Sequence, residues 1–189
     1  SLLLKIIFAL LLCLSGYTGA ALYLLVSDDP KPSDAVVLFV GPDYEKRLQE
    51  ANQLIEEGYA DTLIIPAYHR VSILSNGKRV RESHLKSVRN KRKKYPKYYE
   101  NTHIEILEAR RLMDNIGFKS AIMVSSPYHM RRIEIISLKV FGKNEYRIKC
   151  IGSRYLKPMS LLSIFKSQNV KLIFSEYVKL FFFHFYQFV

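Results

Sequence analysis

Two serines, a histidine and two arginines lie close together after a short apolar run. The apolar run Ala121–Val124 predicts a buried strand, and Pro127 favours the first position of a helix, where its missing N–H costs nothing. Ser126 is a preferred N-cap residue. A helix N-terminus presents unpaired N–H groups and a partial positive charge, so it binds anions. The motif therefore predicts an anion-binding site that contains Ser125, Ser126, His129, Arg131 and Arg132.

His129 is the candidate for proton transfer in this motif. It acts either as a general acid or base or as a hydrogen-bond donor to a bound anion, and the helix start lowers its pKa. A serine nucleophile is disfavoured, because the flanking residues lack the Gly-x-Ser-x-Gly turn that exposes such a serine. Arg131 and Arg132 point about 100° apart on a helix, so at most one of them faces the site fully.

The elements that must position this motif alternate between strands and helices. Runs of β-branched residues predict strands, and apolar residues at helical spacing predict helices. The predicted order is strand Asp34–Val40, helix Asp43–Glu57, strand Thr62–Ile65, helix Asn101–Ile116, strand Ala121–Ser125, helix Pro127–Phe141, strand Tyr146–Ile151 and a helix from about Asn169. This alternation predicts an α/β fold with a parallel sheet and helices on both faces. Ligands of such sheets bind at the carboxyl ends of the strands.

Residues near the other strand ends complete the predicted site. Glu100 precedes a helix and either orients His129, Arg47 or a ligand hydroxyl, or remains a solvated carboxylate. Asn101 and Thr102 are explained more readily as helix caps than as ligand contacts. No His, Cys, Asp or Glu cluster has metal-ligand spacing, so we predict no metal. The full set adds Gly41, Arg47, Glu100, Asn101 and Thr102, with His129 and Glu100 as the catalytic candidates.

The start of the predicted helix Asn101–Ile116 carries a capping signal. Thr102 and Glu105 have the Thr-x-x-Glu spacing of a capping box, which predicts that Thr102 is the N-cap.

The first part of the chain is typical of a membrane span. Ile6–Val26 holds no charged residue over about 20 positions, the length of one bilayer crossing. A cleavable signal peptide is the alternative, and an anchor is favoured because the apolar run continues past its weak cleavage site at Thr18–Ala20. We expect an anchor at 1–27, a linker at 28–33 and an α/β domain at 34–189. Lys5 favours a cytoplasmic N-terminus. We therefore expect the domain on the extracytoplasmic side of the inner membrane.

The remaining charge and aromatic content are unevenly distributed. The net charge is +12, and the segment from 69 to 99 contains eleven Lys or Arg residues against Glu82 alone. This segment is a basic insertion, and two interpretations of it are possible. It is either a solvated, partly disordered segment or a patch that faces anionic lipid headgroups or a polyanion. Nucleic acid is disfavoured, because no binding module is present. The Phe-rich C-terminus either packs against the sheet or lies in the membrane interface.

The motifs together are similar to those of one known family. The match covers most of Asp34 to Ile136: the opening strand Asp34–Val37, Arg47 on helix Asp43–Glu57, Asn101-Thr102 at the start of helix Asn101–Ile116, and the specific motif Val124–Arg132. In these residues the chain resembles the YdcF-like domain family, which includes SanA-like and ElyC-like bacterial envelope proteins. The resemblance implies a Rossmann-like three-layer domain behind a membrane span and a polar pocket lined by these motifs. It also implies S-adenosylmethionine as a cofactor candidate and a role in polysaccharide or peptidoglycan pathways.

The chain departs from the family pattern where the family has glycines. Family members carry several glycines after the first two strands, and this chain has Val40-Gly41-Pro42 and Pro66-Ala67-Tyr68 there; Glu105 stands where the family has Asn. Since glycine permits close approach of a ligand, the missing glycines argue against simply assuming a nucleotide cradled as in the family. Two functions remain: an enzyme acting on a phosphate-bearing or lipid-linked envelope intermediate, or a non-catalytic ligand-binding or scaffold protein.

Overall fold

A computed structural model describes residues 2–75, 78–84, 95–157, 159–160 and 162–186. The helices and strands, in chain order, are α1 (Leu2–Tyr23), β1 (Ala35–Leu38), α2 (Tyr44–Glu56), β2 (Thr62–Ile65), β3 (Arg70–Ser75), β4 (Lys78–His84), α3 (Asn101–Ile116), β5 (Ser120–Ser125), α4 (Met130–Phe141), β6 (Arg147–Gly152) and α5 (Ser167–Tyr186). Short 3₁₀ turns lie at Pro66–Tyr68, Pro127–His129 and Ser163–Phe165.

The strands form one mixed sheet in the order β4-β3-β2-β1-β5-β6. The four strands that the sequence predicts, β1, β2, β5 and β6, pair in parallel, and the prediction of an α/β fold is confirmed. Consecutive residues of β1 contribute to two different apolar clusters. Val37 packs with residues of α3 and α4, whereas Val36 and Leu38 pack with residues of α2. This alternation is the period of two that a strand buried on both faces requires.

The segment expected as a basic insertion at 69–99 begins as a hairpin of the sheet. Strands β3 and β4 pair antiparallel, and β3 pairs antiparallel with β2. Residues 70–75 and 78–84 are therefore strands of the sheet, which neither interpretation of the basic insertion included. Lys86, Arg89 and the run Lys91–Lys94 lie outside the described residues, and so does most of the predicted headgroup-binding patch.

Helix α1 begins and ends earlier than the predicted span Ile6–Val26. It is the one described helix that is long and apolar enough to cross a membrane, a criterion that anchors and signal sequences both meet. The residues after it return to the domain: Leu24 is buried, and Asp28 exchanges two hydrogen bonds with the backbone of Cys150, both 2.8 Å. The expected linker at 28–33 therefore starts on the edge strand β6.

Helix α5 confirms the predicted C-terminal helix and packs one face on the domain. Ile173, Glu176 and Phe183 are buried, and Phe183 joins the cluster that covers one face of the sheet. The opposite face of α5 exposes phenylalanines, among them Phe174 and Phe181.

Candidate functional site

A cavity of about 580 Å³ lies at the carboxyl ends of β1 and β5, the edge where parallel sheets bind ligands. Its walls come from the loop after β1 and from helices α2, α3, α4 and α5. The predicted site residues that line it are Gly41, Arg47, Glu100, Asn101, Thr102, Ser125, His129 and Arg132. Ser126 and Arg131 do not line it.

Arg132 lies at the base of the cavity, where two carboxylates bind its guanidinium. Its Nε donates to Glu176 Oε2 at 2.7 Å, and its Nη1 donates to both oxygens of Glu100 at 2.9 and 3.0 Å. Nη1 also donates to Thr102 Oγ1 at 2.6 Å. A buried guanidinium with two carboxylate partners is neutralised by the protein itself, so Arg132 offers little charge to an added anion.

His129 is held by the same carboxylate. Its Nδ1 lies 3.0 Å from Glu176 Oε1. Because a carboxylate only accepts, the Nδ1 proton is assigned to this contact, and the 3.4 Å approach of Arg132 Nη2 is then a van der Waals contact. This assignment leaves Nε2 as the ring nitrogen available to a ligand.

The pKa values of this cluster follow from burial and pairing. Burial lowers the pKa of His129 and outweighs the opposing effect of Glu176, so the ring is neutral at neutral pH. The expected direction is confirmed, but the main cause is burial and not the helix start. Burial alone would raise the pKa of Glu176, yet hydrogen bonds from His129 and Arg132 hold it well below its usual range. Burial raises the pKa of Glu100, and Arg132 opposes that rise.

Glu176 and Lys179 belong to the site and were not predicted. Both lie on α5, and Lys179 Nζ donates to Glu176 Oε1 at 2.9 Å. The sequence does carry a signal: Glu176 is the only acidic residue after Glu145, in a helix that is otherwise apolar, polar or basic. A single carboxylate on a buried helix face needs a cationic partner, and the motif of Arg132 supplies one.

Arg47 is bound differently. It is 2% exposed, its Nε donates to Ser126 Oγ at 2.9 Å, and its Nη1 donates to the carbonyls of Phe39 and Val40 at 3.2 and 3.0 Å. Its Nη2 is buried and has no hydrogen-bond partner among the described residues. A buried donor without a partner is costly, which makes Nη2 a natural contact for an acceptor atom of a ligand.

Gly41 makes room for this arginine. A Cβ built on Gly41 would lie 2.6 Å from Arg47 Nη1 and 2.9 Å from Nη2. Gly41 is one of the predicted ligand-binding residues, and a glycine leaves space next to its Cα. The structure shows instead that the guanidinium of Arg47 occupies that space.

Ser126 connects Arg47 to Asp43. Its hydroxyl accepts from Arg47 and donates to Asp43 Oδ2 at 2.9 Å, and the hydroxyl of Tyr128 donates to the same carboxylate oxygen. Burial would raise the pKa of Asp43, but these hydrogen bonds and the charge of Arg47 keep it below the usual value. The expected N-cap bond of the Ser126 side chain is not formed, because this hydroxyl is engaged elsewhere.

Arg131 points away from the cavity and contacts the end of α1. Its Nε donates to the carbonyl of Tyr23 at 2.9 Å, its Nη1 pairs with Glu134 at 2.6 Å, and its Cζ lies 4.2 Å from the centre of the Tyr23 ring. Of the two neighbouring arginines only Arg132 faces the cavity, as the 100° separation requires.

The start of α3 differs from the predicted capping box. The N-cap is Glu100, so Thr102 lies inside the first turn and accepts from Arg132. Glu105, the other residue of the predicted capping box, lines the cavity. The carboxylate of Glu100 binds Arg132, and the cap has no side-chain hydrogen bond.

A second, apolar cavity of about 520 Å³ adjoins the first. Aromatic residues Tyr98, Tyr99, Phe182, Phe185 and Tyr186 line it, and both cavities share Glu100 and Lys179. Behind it, His103 stacks on Tyr99 with ring centres 4.5 Å apart, and burial lowers its pKa to about 4. His103 is thus a neutral member of an aromatic cluster.

The charges around the polar cavity are close to balanced. Arg47, Arg132 and Lys179 face Glu100 and Glu105, with Glu176 behind them. Within the described ranges, no group of three or more His, Cys, Asp or Glu side chains could hold a metal ion. Among the described residues of the cavity, Arg47 Nη2 is a cationic donor without a hydrogen-bond partner, and His129 Nε2 is an imidazole nitrogen that the Glu176 contact leaves unused.

No family model, no curated protein and no solved structure matches the chain.

Proposed function

We propose that this protein is a divergent YdcF-like envelope protein, anchored in the inner membrane by α1 with its domain on the extracytoplasmic side. The length and composition of α1 and the mostly parallel sheet support this proposal. The two apolar clusters, one with α2 and one with α3 and α4, support a Rossmann-like three-layer arrangement.

The polar cavity is proposed to bind the phosphate or sugar group of a lipid-linked envelope intermediate. The observation that carries this proposal is the buried Nη2 of Arg47, a cationic donor that has no described hydrogen-bond partner and belongs to a side chain that lines the cavity. A phosphate oxygen or a sugar hydroxyl would satisfy it, with a charge-assisted hydrogen bond. The adjoining aromatic cavity, which shares Glu100 and Lys179, would accommodate the apolar part of the same molecule.

His129 would act as the base of an enzyme at this site. Glu176 fixes the ring through Nδ1, and burial keeps the ring neutral, so Nε2 can accept a proton from a hydroxyl or a water at the cavity. The pairing of a histidine with a carboxylate that orients it is the arrangement used by general bases in hydrolases.

The alternative is a non-catalytic protein that binds a zwitterionic ligand such as S-adenosylmethionine. The balanced charge of the cavity favours this alternative, because Glu100 and Glu176 already neutralise Arg132 and charges of both signs line the cavity.

Native mass spectrometry of the full chain, released from detergent micelles, tests the ligand proposal. We expect a co-purifying lipid with a phosphate or sugar group on the wild type and on Arg131→Ala, and its loss in Arg47→Lys, which keeps the charge but cannot reproduce the fork. Retention of the lipid by Arg47→Lys would show that the guanidinium of Arg47 does not bind it. A bound S-adenosylmethionine in its place would establish the alternative.

His129→Gln separates the enzyme from the binding protein. An enzyme loses turnover of the identified lipid while the lipid remains bound, because Gln keeps a hydrogen-bonding side chain but not the proton transfer. A binding protein retains both ligand and cellular phenotype in His129→Gln, and that result would exclude the role of His129 as a base.

A further inference from the structure

The segment that precedes α5 and the first turns of α5 lie beside the last two turns of α1. The hydroxyl of Tyr17 donates to the carbonyl of Ile164 at 2.7 Å, and its ring centre lies 5.3 Å from that of Phe165. Three residues further along α1, the carbonyl of Ala20 accepts from the hydroxyl of Tyr177 at 2.8 Å. Ala21 and Leu24 pack against Ile164 and Ile173. These contacts fix the position of the segment along the axis of α1, here called its level.

That level coincides with the edge of a bilayer if α1 spans it. The 22 residues of α1 extend about 33 Å, close to the thickness of the hydrocarbon core. Tyr17 then lies about 9 Å from the end of the helix at Tyr23, within the depth of about 5–10 Å to which interfacial helices bury their apolar faces. Ile164 and Phe165 lie at the same level.

The residues exposed at this level are large and apolar. Leu162 is 86% exposed and Phe174 is 70% exposed, and Phe181 continues the stripe of Phe174 at a spacing of seven residues with 66% exposure. The exposed side chains of Lys166 and Lys171 flank them. In water this would be a costly surface, whereas apolar rings with flanking lysines are typical of a helix that lies in a membrane interface.

We infer that Leu162, Phe165, Phe174 and Phe181 form an interfacial surface that inserts into the same membrane that α1 spans. This inference rests on the membrane anchoring proposed above. The surface would fix the orientation of the domain on the membrane, a constraint that a single helix with a flexible linker does not provide. It would also keep Phe182 and Phe185, which line the aromatic cavity, near the lipid.

The absence of tryptophan in the chain permits a direct test. Single tryptophans are introduced by Phe174→Trp and Phe181→Trp in the full chain, reconstituted into phosphatidylcholine vesicles with or without brominated acyl chains. Phe8→Trp in the exposed part of α1 reports the anchor. Ile116→Trp, 41% exposed at the end of α3, is the matched control outside the membrane surface. Excitation at a wavelength that tyrosine does not absorb isolates the tryptophan signal.

We expect brominated lipid to quench Phe8→Trp, Phe174→Trp and Phe181→Trp and to leave Ile116→Trp unchanged. If Phe8→Trp is quenched while the two α5 tryptophans behave like Ile116→Trp, the anchor stands and the interfacial surface is wrong. If Phe8→Trp is not quenched, the anchor fails and the interfacial surface fails with it. Quenching at Ile116→Trp as well would show general adsorption of the domain and would also overturn the inference.

Discussion

Two buried arginines, Arg132 and Arg47, reach the same cavity and differ in how their guanidinium groups are bound. Carboxylates of Glu176 and Glu100 bind Arg132, so its charge is balanced within the protein. Neutral oxygens, a serine hydroxyl and two backbone carbonyls, bind Arg47, and its Nη2 has no described partner. Arg132, whose charge is paired, is suited to hold α4 and α5 together. Arg47, whose Nη2 has no described partner, is suited to bind a ligand.

The sequence motif draws attention to Arg132 as the ligand-binding arginine, whereas the structure favours Arg47 for that role. Arg132 belongs to the specific motif with His129, whereas Arg47 stands alone on a helix. In the structure Arg132 positions His129 through their shared carboxylate, Glu176. The specific motif therefore maintains the geometry of the site, and the less specific residue supplies the free donor.

Removal of Glu176 should give the largest effect. Glu176→Ala leaves the buried charge of Arg132 without its main partner on α5, and we expect the free energy of unfolding to fall by about 3–5 kcal/mol. Chemical denaturation of the full chain in detergent measures it. Lys179→Ala is the matched control: Lys179 binds the same carboxylate but its side chain is 40% exposed, so its loss should cost less than about 1 kcal/mol. Equal costs for the two variants would show that Arg132 is not held by Glu176.

Gly41→Ala should disturb Arg47 and leave Arg132 intact. The added methyl would lie 2.6 Å from Arg47 Nη1, and overpacking of this kind costs about 1–3 kcal/mol. The co-purified ligand should be lost as well, which native mass spectrometry detects. In the Arg47→Met background the same Gly41→Ala change should cost much less, because the guanidinium is gone. An undiminished cost in that double variant would assign the strain to some other neighbour.

A fall in pH should reduce the stability that His129 contributes before the stability that Asp43 contributes. The folded-state pKa of His129 lies below the unfolded value near 6.5, so the neutral ring contributes stability that is present above about pH 6.5 and is lost as the pH falls toward the folded pKa. Asp43 in the Arg47 network also has a lowered pKa, but its contribution persists until the pH falls below about 3.8.

Denaturation curves across pH 7 to 4 measure this difference. The stability advantage of the wild type over His129→Gln should shrink below pH 6.5, whereas its advantage over Asp43→Asn should stay constant to about pH 4. Taking differences between variants cancels the titration of other groups, including His103. A constant advantage over His129→Gln would show that the ring does not change charge on unfolding.

The regular elements could be predicted because each one carries its own local signal. Val36 and Val37 lie in a short apolar run that Gly41-Pro42 ends, and Gly117 ends α3 with the left-handed backbone that its position predicts. The hairpin also had a signal, since Asn76-Gly77 separates its two strands and is a strong hairpin dipeptide.

The contacts of the site could be predicted only in part. Residues next to strand ends, such as Ser125 and Glu100, meet at the cavity because parallel strands end at one edge. Glu176 is 44 positions from Arg132, and no periodicity links the two. Its contact depends on the angle at which α5 crosses the sheet, and helix packing angles are not fixed by sequence spacing.

Arg131→Ala should give the smallest effect and test whether the two networks are independent of α1. Arg131 contacts the carbonyl and ring of Tyr23 and pairs with Glu134 at a partly exposed position, so its loss should cost about 1 kcal/mol or less. Ligand retention in native mass spectrometry and the stability difference between wild type and His129→Gln should both be unaffected. Arg131 and Arg132 are adjacent in sequence but contact different structures, α1 and the cavity. A loss of ligand in Arg131→Ala would therefore mean that the seating of α1 on the domain controls the cavity, because Arg131 itself does not line it.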